Sequence, residues 1–208
     1  MKIRFPIVAT IIVAAAVVVM VALGVWQLQR KGEKEALIAL YAANRAKSEI
    51  SYPALGPVSD MSMFRKSTVT CLKVVRWQAS AGKDAQGRSG IRYIAECTAG
   101  GAEGPGILVL AGVADRPDLT PAWTGGAVTG LIVTEPDKRS LLQKALGSDV
   151  VLRPMLIATS PVEGLRAPSQ PKPEDVANNH LAYAVQWFLF AAAAAIIYLL
   201  ALRKRQAG

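Results

Sequence analysis

The sequence predicts a membrane α+β protein in which two terminal transmembrane helices flank one extracytoplasmic β-rich domain. Three observations lead there. Two apolar stretches without Asp, Glu, Lys or Arg run from about Pro6 to Gly24 and from about Leu181 to Leu202. Every acidic residue lies between them. The chain between them carries short runs rich in Val, Ile and Thr, separated by turns rich in Gly and Pro.

A hydrocarbon core of ~30 Å takes roughly 20 helical residues, and each apolar stretch meets that length. In lipid the backbone must satisfy its own hydrogen bonds, so each stretch is expected to be a helix. The expected boundaries are a tail at 1–5, a first span at 6–26, a domain at 27–179, a second span at 180–202 and a tail at 203–208. A second reading exists for the first span. Met1–Arg4 resembles the basic start of a signal peptide, and Ala22-Leu23-Gly24 a cleavage site. The apolar run exceeds the ~7–15 residues usual there, and Trp26 stands where an interfacial aromatic belongs. Length therefore favours an uncleaved anchor.

Charge gives the orientation. The chain has 24 Lys plus Arg against 15 Asp plus Glu. The tails hold Lys2, Arg4, Arg203, Lys204 and Arg205 and no acid, which places both termini on the cytoplasmic side. Arg30, Lys31 and Lys34 argue the other way, but a loop this long crosses largely regardless of its charge. With five bases in the tails, the basic excess on the loop is mild. It is mostly a topology signal, too mild to suggest nucleic acid, and no nucleic-acid partner is expected.

The loop has the size of one ordinary domain. Ala36, Leu37, Leu40 and Tyr41 predict a helix from about Lys31 to Lys47, closed by the loop Ser51–Pro57. Strands are expected at 66–78, 90–97, 107–113, 127–134 and 150–159. Turns are expected at 81–87 and 99–106. Pro136–Leu146 reads as a short helix, with Pro136 at N1 and Gly147 at C′. Pro161–Pro173 is a proline-rich connector to the second span.

The two cysteines allow a disulfide. If the first two strands form a hairpin, Asp84 lies at its centre, and Cys71 and Cys97 stand equally far on either side, facing each other. The other reading is two small buried thiols. Their spacing matches no zinc or iron–sulfur pattern, and no C-x-x-C-H haem attachment motif is present. Gly100, Gly101, Gly104 and Gly106 form no phosphate loop, because no Gly-Lys-Ser/Thr follows. The carboxylates are scattered and the lone histidine lies at the membrane, so the chain is not expected to be an enzyme.

That histidine opens the second span, in Asn178-Asn179-His180-Leu181-Ala182-Tyr183-Ala184-Val185-Gln186-Trp187-Phe188. On a helix His180, Tyr183, Ala184 and Trp187 share one face. Trp26 and Gln27 end the first span on the same side of the bilayer. One reading is an aromatic belt with an imidazole capping a helix start in the headgroups. The other is a ligand site, in which His180 offers one ring nitrogen to a metal while the other is bonded to the Asn178 or Asn179 carbonyl. Gln186, inside the span, reads as an interhelical contact.

Leu23-Gly24-Val25-Trp26-Gln27-Leu28-Gln29-Arg30 and Asn179–Phe188 resemble the signatures of the two spans in the surfeit locus protein 1 family. Phe64–Thr70 is similar to that family's first loop strand, and Pro168-Gln170-Pro171 to its connector. The resemblance is carried by the two ends. The middle departs from the pattern at Cys71 and through Leu110–Arg116, as in a divergent bacterial member. It implies an assembly factor for a haem–copper terminal oxidase that works with the catalytic subunit and with haem-biosynthesis or other assembly factors. It implies haem a as the cofactor, transiently held, with His180 as the iron ligand; the shared helix face and membrane depth read above add Tyr183, Trp187, Trp26 and Gln27 around it. A tethered periplasmic binding or scaffolding domain is the alternative. The chain shows no Arg/Ser-rich transit peptide, so the expected location is a bacterial inner membrane with a periplasmic loop.

Overall fold

The computed structural model describes residues 6–54, 57–99, 106–116, 118–147 and 150–207. In chain order the elements are α1 (Ile7–Ala46), β1 (Lys66–Cys71), β2 (Lys73–Lys83), β3 (Ser89–Thr98), β4 (Ile107–Ala114), β5 (Gly126–Thr134), α2 (Leu141–Ala145), β6 (Pro154–Ala158) and α3 (His180–Ala207). The chain divides into two compact units. One holds Met1–Leu37 and Val176–Gly208, the other Ile38–Asp175.

The first unit is helical. Both of its helices are long and apolar enough to cross a membrane, and 6% of the most apolar window of each is buried within the protein. A core helix of a water-soluble domain would be mostly covered, so these are two spans. The sequence divides the first span from a separate helix beginning at Lys31. The structure instead runs α1 unbroken through that point. Arg30 pairs with Glu33, and Lys31 with Glu35 at 2.6 Å. Such pairs three and four residues apart support helix where hydrophobic burial stops.

The second unit is built on alternation. β1 buries Ser67, Val69 and Cys71 and exposes the residues between, the period of two that a half-buried strand requires. β4 and β6 are buried on both faces. One face packs Ile107, Val109, Ile132, Leu156 and Val128 together. The other packs Ile94, Leu108, Leu110, Val133, Met155 and Ile157. The strand order is β1-β5-β6-β4-β3-β2, antiparallel throughout except for β4 with β6. Consecutive strands β1 and β2 therefore lie at opposite edges, separated only by Leu72. The sheet must curl until its edges meet at that corner, where Leu72 N–H donates to the Thr98 carbonyl and Val74 N–H to that of Thr124, each at 2.9 Å.

This corner corrects the expected hairpin. The run at 66–78 is two strands. The β2–β3 ladder pairs Lys83 with Ser89 and Trp77 with Ala95, so its centre is Gln86, two residues beyond Asp84. Cys97 stands opposite Val74, after a bulge, and not opposite Cys71. The two cysteines are nevertheless bonded, with Cα atoms 5.2 Å apart, because the bend at Leu72 swings Cys71 inward. The short helix is also smaller than expected. Pro136 lies outside it, and Ser140 is the N-cap, in a capping box with Gln143. Gly147 does follow it with φ of +71°, as a C′ residue should. The last strand is Pro154–Ala158 alone. Of the turn expected at 99–106, residues 100–105, with Gly100, Gly101 and Gly104, lie outside the described residues, as do Lys2 and Arg4 of the first tail.

Near the end of α1, the Tyr41 ring stacks on Phe64 at 5.0 Å and its hydroxyl donates to Asp60 at 2.7 Å. The Asn44 amide donates to the carbonyls of Asp60 and Met63. These bonds hold Phe64 at φ of +62°, in the left-handed region that a bulky residue rarely adopts.

Buried and paired carboxylates tie this unit to pH. Hydrogen bonds from Arg153 and Arg76 hold the Glu96 carboxyl below its ordinary value of 4.5. Burial pushes the Asp84 carboxyl up. Hydrogen bonds from the Arg88 amide, the Arg88 guanidinium and the Gln86 amide outweigh this and leave it below 3.8. For both groups the folded value lies under the unfolded one, so their stabilisation is present above about pH 4.5 and is lost as acid protonates the unfolded chain first. The thermal midpoint of the solubilised chain should hold steady near neutrality and fall steadily below pH 4.5. Arg153→Met should flatten that fall by removing the Glu96 and Glu135 partner. An unchanged midpoint down to pH 3 would show that these pairs do not govern stability.

Candidate functional site

Three contacts set the two spans against each other. At one end the hydroxyls of Thr10 and Tyr198 share a hydrogen bond. One turn before Gln27, Gly24 is buried, and a Cβ built there would come 2.6 Å from the Phe188 ring. At the other end His180 Nδ1 lies 2.7 Å from Gln27 Oε1. The helices thus run antiparallel. Ala184 and Ala191, both buried, face the seam. Lipid gives packed helices no hydrophobic drive toward each other. Small residues and hydrogen bonds do that work instead.

His180 is the first residue of α3. The Asn179 carbonyl accepts from the Tyr183 N–H at 3.3 Å and so caps the helix. An amide oxygen can only accept, so the contact with Gln27 Oε1 is a hydrogen bond in the tautomer that carries the proton on Nδ1. In a neutral ring the other nitrogen, Nε2, then keeps its lone pair. Nε2 has no protein partner among the described residues.

The expected site residues separate into those this geometry joins and those it does not. His180 and Gln27 are joined, and both are half-buried. Trp187 is half-buried and meets Phe190 edge-on at 6.2 Å. Trp26 and Tyr183 remain about half exposed, at 49% and 51%, and neither side chain makes a hydrogen bond among the described residues. The expected His180 partner is corrected. Gln27 takes the place assigned to Asn178 or Asn179, because the Asn179 carbonyl is committed to the helix cap and Asn178 Oδ1 is buried with no partner. Gln186 is exposed and does not join the spans. Thr10 and Tyr198 supply an interhelical polar contact within the spans, and the signal for it was the hydroxyl that each run carries. Gly24 and Phe188 went unread as a packing pair, since sequence spacing does not tell which residues of two distant helices meet.

Asp84 and Arg166 were not expected to meet either. In the sheet unit the buried Asp84 accepts from Arg88 Nε at 2.8 Å and pairs with Arg166, whose other arm reaches Asp115 at 2.6 Å. This cluster fastens the β2–β3 turn to the connector and is spent on structure. The cleft lined by Trp123, Thr129, Ser160 and Glu163 offers one carboxylate and no imidazole or thiol.

The fit to a cofactor follows from the donor set. Among the described residues there is no group of three or more His, Cys, Asp or Glu that could hold a bare ion. What the helix seam offers is one imidazole whose Nδ1 faces Gln27 and whose Nε2 has no protein partner among the described residues. That suits a single axial bond to an iron already held by a macrocycle.

A comparison with curated proteins found no match. The SURF1 family profile matches residues 14–192, which takes in the Gly24–Phe188 seam, the Gln27–His180 pair and the whole curled sheet. On that match the chain belongs to the SURF1 family.

Proposed function

We propose that this protein assists the assembly of a haem–copper terminal oxidase by presenting haem a through Nε2 of His180. The SURF1 family is associated with cytochrome oxidase assembly and is a family of assembly factors rather than of catalysts. The observation that carries the finer reading is the 2.7 Å contact between His180 Nδ1 and Gln27 Oε1, which leaves the other ring nitrogen free for iron. Haem, when bound, would supply an iron that His180 would hold through Nε2. The chain orients that imidazole through Gln27.

The Cys71–Cys97 bond favours an oxidising compartment for the sheet unit, in keeping with a periplasmic domain and cytoplasmic tails in a bacterial inner membrane. Leu141, Leu142 and Leu146 stand exposed around α2 and give that unit an apolar surface for a partner such as the oxidase catalytic subunit.

Substituting His180→Ala tests the reading. The apolar run of α3 remains, so insertion should be unchanged. Haem a co-purifying with the protein should be lost, together with its Soret absorbance. A wild-type haem-to-protein ratio in this variant would make the ligand assignment wrong. If the histidine is incidental and the chain only tethers a scaffold, a deletion strain should still show normal haem content in its oxidase.

A further inference from the structure

We infer that Gln27 is the positioning residue that sets the tautomer of His180, holding the proton on Nδ1 so that Nε2 is ready to bind iron. The purpose of this device rests on the haem-presenting reading above. The device itself rests only on the geometry. Two lone pairs facing each other at 2.7 Å would repel, so an acceptor oxygen at that distance selects the Nδ1–H form. A histidine side chain with no partner prefers the opposite tautomer, with the proton on Nε2, which closes that nitrogen to a metal. Gln27 therefore reverses the intrinsic preference of the ring. Accepting from Nδ1–H also raises the basicity of Nε2 and strengthens it as a ligand.

The arrangement couples the two spans. The ligand stands on α3 and the group that prepares it stands on α1, three residues beyond Gly24. The residues just before α3 do not share the role among the described residues: the Asn179 carbonyl accepts from Tyr183 N–H, and Asn178 Oδ1 has no partner. An imidazole ready for iron is thus a property of the packed pair of helices.

The experiment uses the full chain in detergent with 15N-labelled histidine. Because His180 is the sole histidine, it gives the only imidazole signals. At about pH 8.5, where an ordinary imidazole is neutral, wild-type protein should show a protonated Nδ1 and an unprotonated Nε2. Gln27→Leu should move the proton to Nε2. Gln27→Glu keeps an acceptor and should retain the wild-type tautomer. Reconstitution with haem a should show affinity about 10–100-fold weaker for Gln27→Leu, as loss of a ligand's hydrogen-bond partner does elsewhere, and near wild type for Gln27→Glu. A wild-type spectrum dominated by the Nε2–H form, or a tautomer unmoved by Gln27→Leu, would overturn the inference. If the tautomer responds as stated while His180→Ala binds haem a like wild type, the role of Gln27 stands and the haem reading falls.

Discussion

Replacing Cys71 and Cys97 together with alanine should lower the thermal midpoint of the sheet unit by roughly 10 °C. The bond closes a loop with a sequence separation of 26. In the chain-entropy description a loop of that length restricts the unfolded state by about 3–4 kcal/mol. For a domain of this size that corresponds to roughly 10 °C. The position of the bond adds to its effect. β1 and β2 are one run of chain bent at Leu72, and each must serve a different edge of the sheet. Near the bend the ladder is thin, because Leu72 and Val74 bond to Thr98 and Thr124 in place of regular strand partners. The disulfide joins β1 to β3 across that corner. Both sulfurs lie in the core, with each residue 1% exposed, so alanine also leaves unfilled space. Melting of the purified full chain, followed by circular dichroism, measures the shift. Reduction of wild-type protein should reproduce it. A shift below about 2 °C would mean that the corner is held by its hydrogen bonds and apolar packing alone.

The spans were legible because lipid imposes a requirement that composition alone can meet. A long run without charge has few other uses, and residues 7–24 and 181–202 are helical as expected. Three of the five expected strand runs, 90–97, 107–113 and 127–134, were legible near their true bounds, while the run at 66–78 hid the bend at Leu72 that makes it two strands. β6 was cut to five residues, since a strand buried on both faces shows no alternation to mark its ends. The pairing of strands was not legible. β1 pairs with β5, more than fifty residues away, and nothing local in Lys66–Cys71 announces that partner. The disulfide shows the difference. The right cysteines were paired from a symmetric hairpin about Asp84, yet the hairpin is centred on Gln86, and the sheet's curl brings the sulfurs together. Asp84 is in fact the acceptor of its own turn, taking bonds from the amides of Gln86 and Arg88. At the helix seam the residue types were legible as an unusual cluster, but which ones touch depends on the rotation of two helices. That rotation is set by where Gly24 lets Phe188 approach.

Gly24→Leu should therefore separate Gln27 from His180 without touching either. Phe188 Cε1 and Cζ lie 2.6 and 2.7 Å from the place a Cβ would take, closer than real Cβ contacts come. A leucine adds three more carbons in the same direction. Either the Phe188 ring swings out of the seam or the helix backbones move apart or rotate, and in lipid no water-driven force draws them back. Gln27 follows Gly24 by one turn, so a displacement at the glycine passes almost undiminished to the amide. A hydrogen bond of 2.7 Å does not tolerate such a change, since it weakens steeply as distance and angle depart from the optimum. The expected result is an inserted protein whose His180 reverts to the Nε2–H tautomer and whose haem a affinity falls at least about tenfold, the loss expected when a ligand's supporting bond is removed. Gly24→Ala, which adds a single carbon, should lie between. The decisive measurement is rescue. Phe188→Ala opens space opposite the new side chain, and Gly24→Leu combined with Phe188→Ala should regain the wild-type 15N spectrum and most of the haem binding. A Gly24→Leu protein with wild-type tautomer and affinity would show that the seam does not set the His180–Gln27 geometry. A loss that Phe188→Ala fails to relieve would place the cause outside this contact.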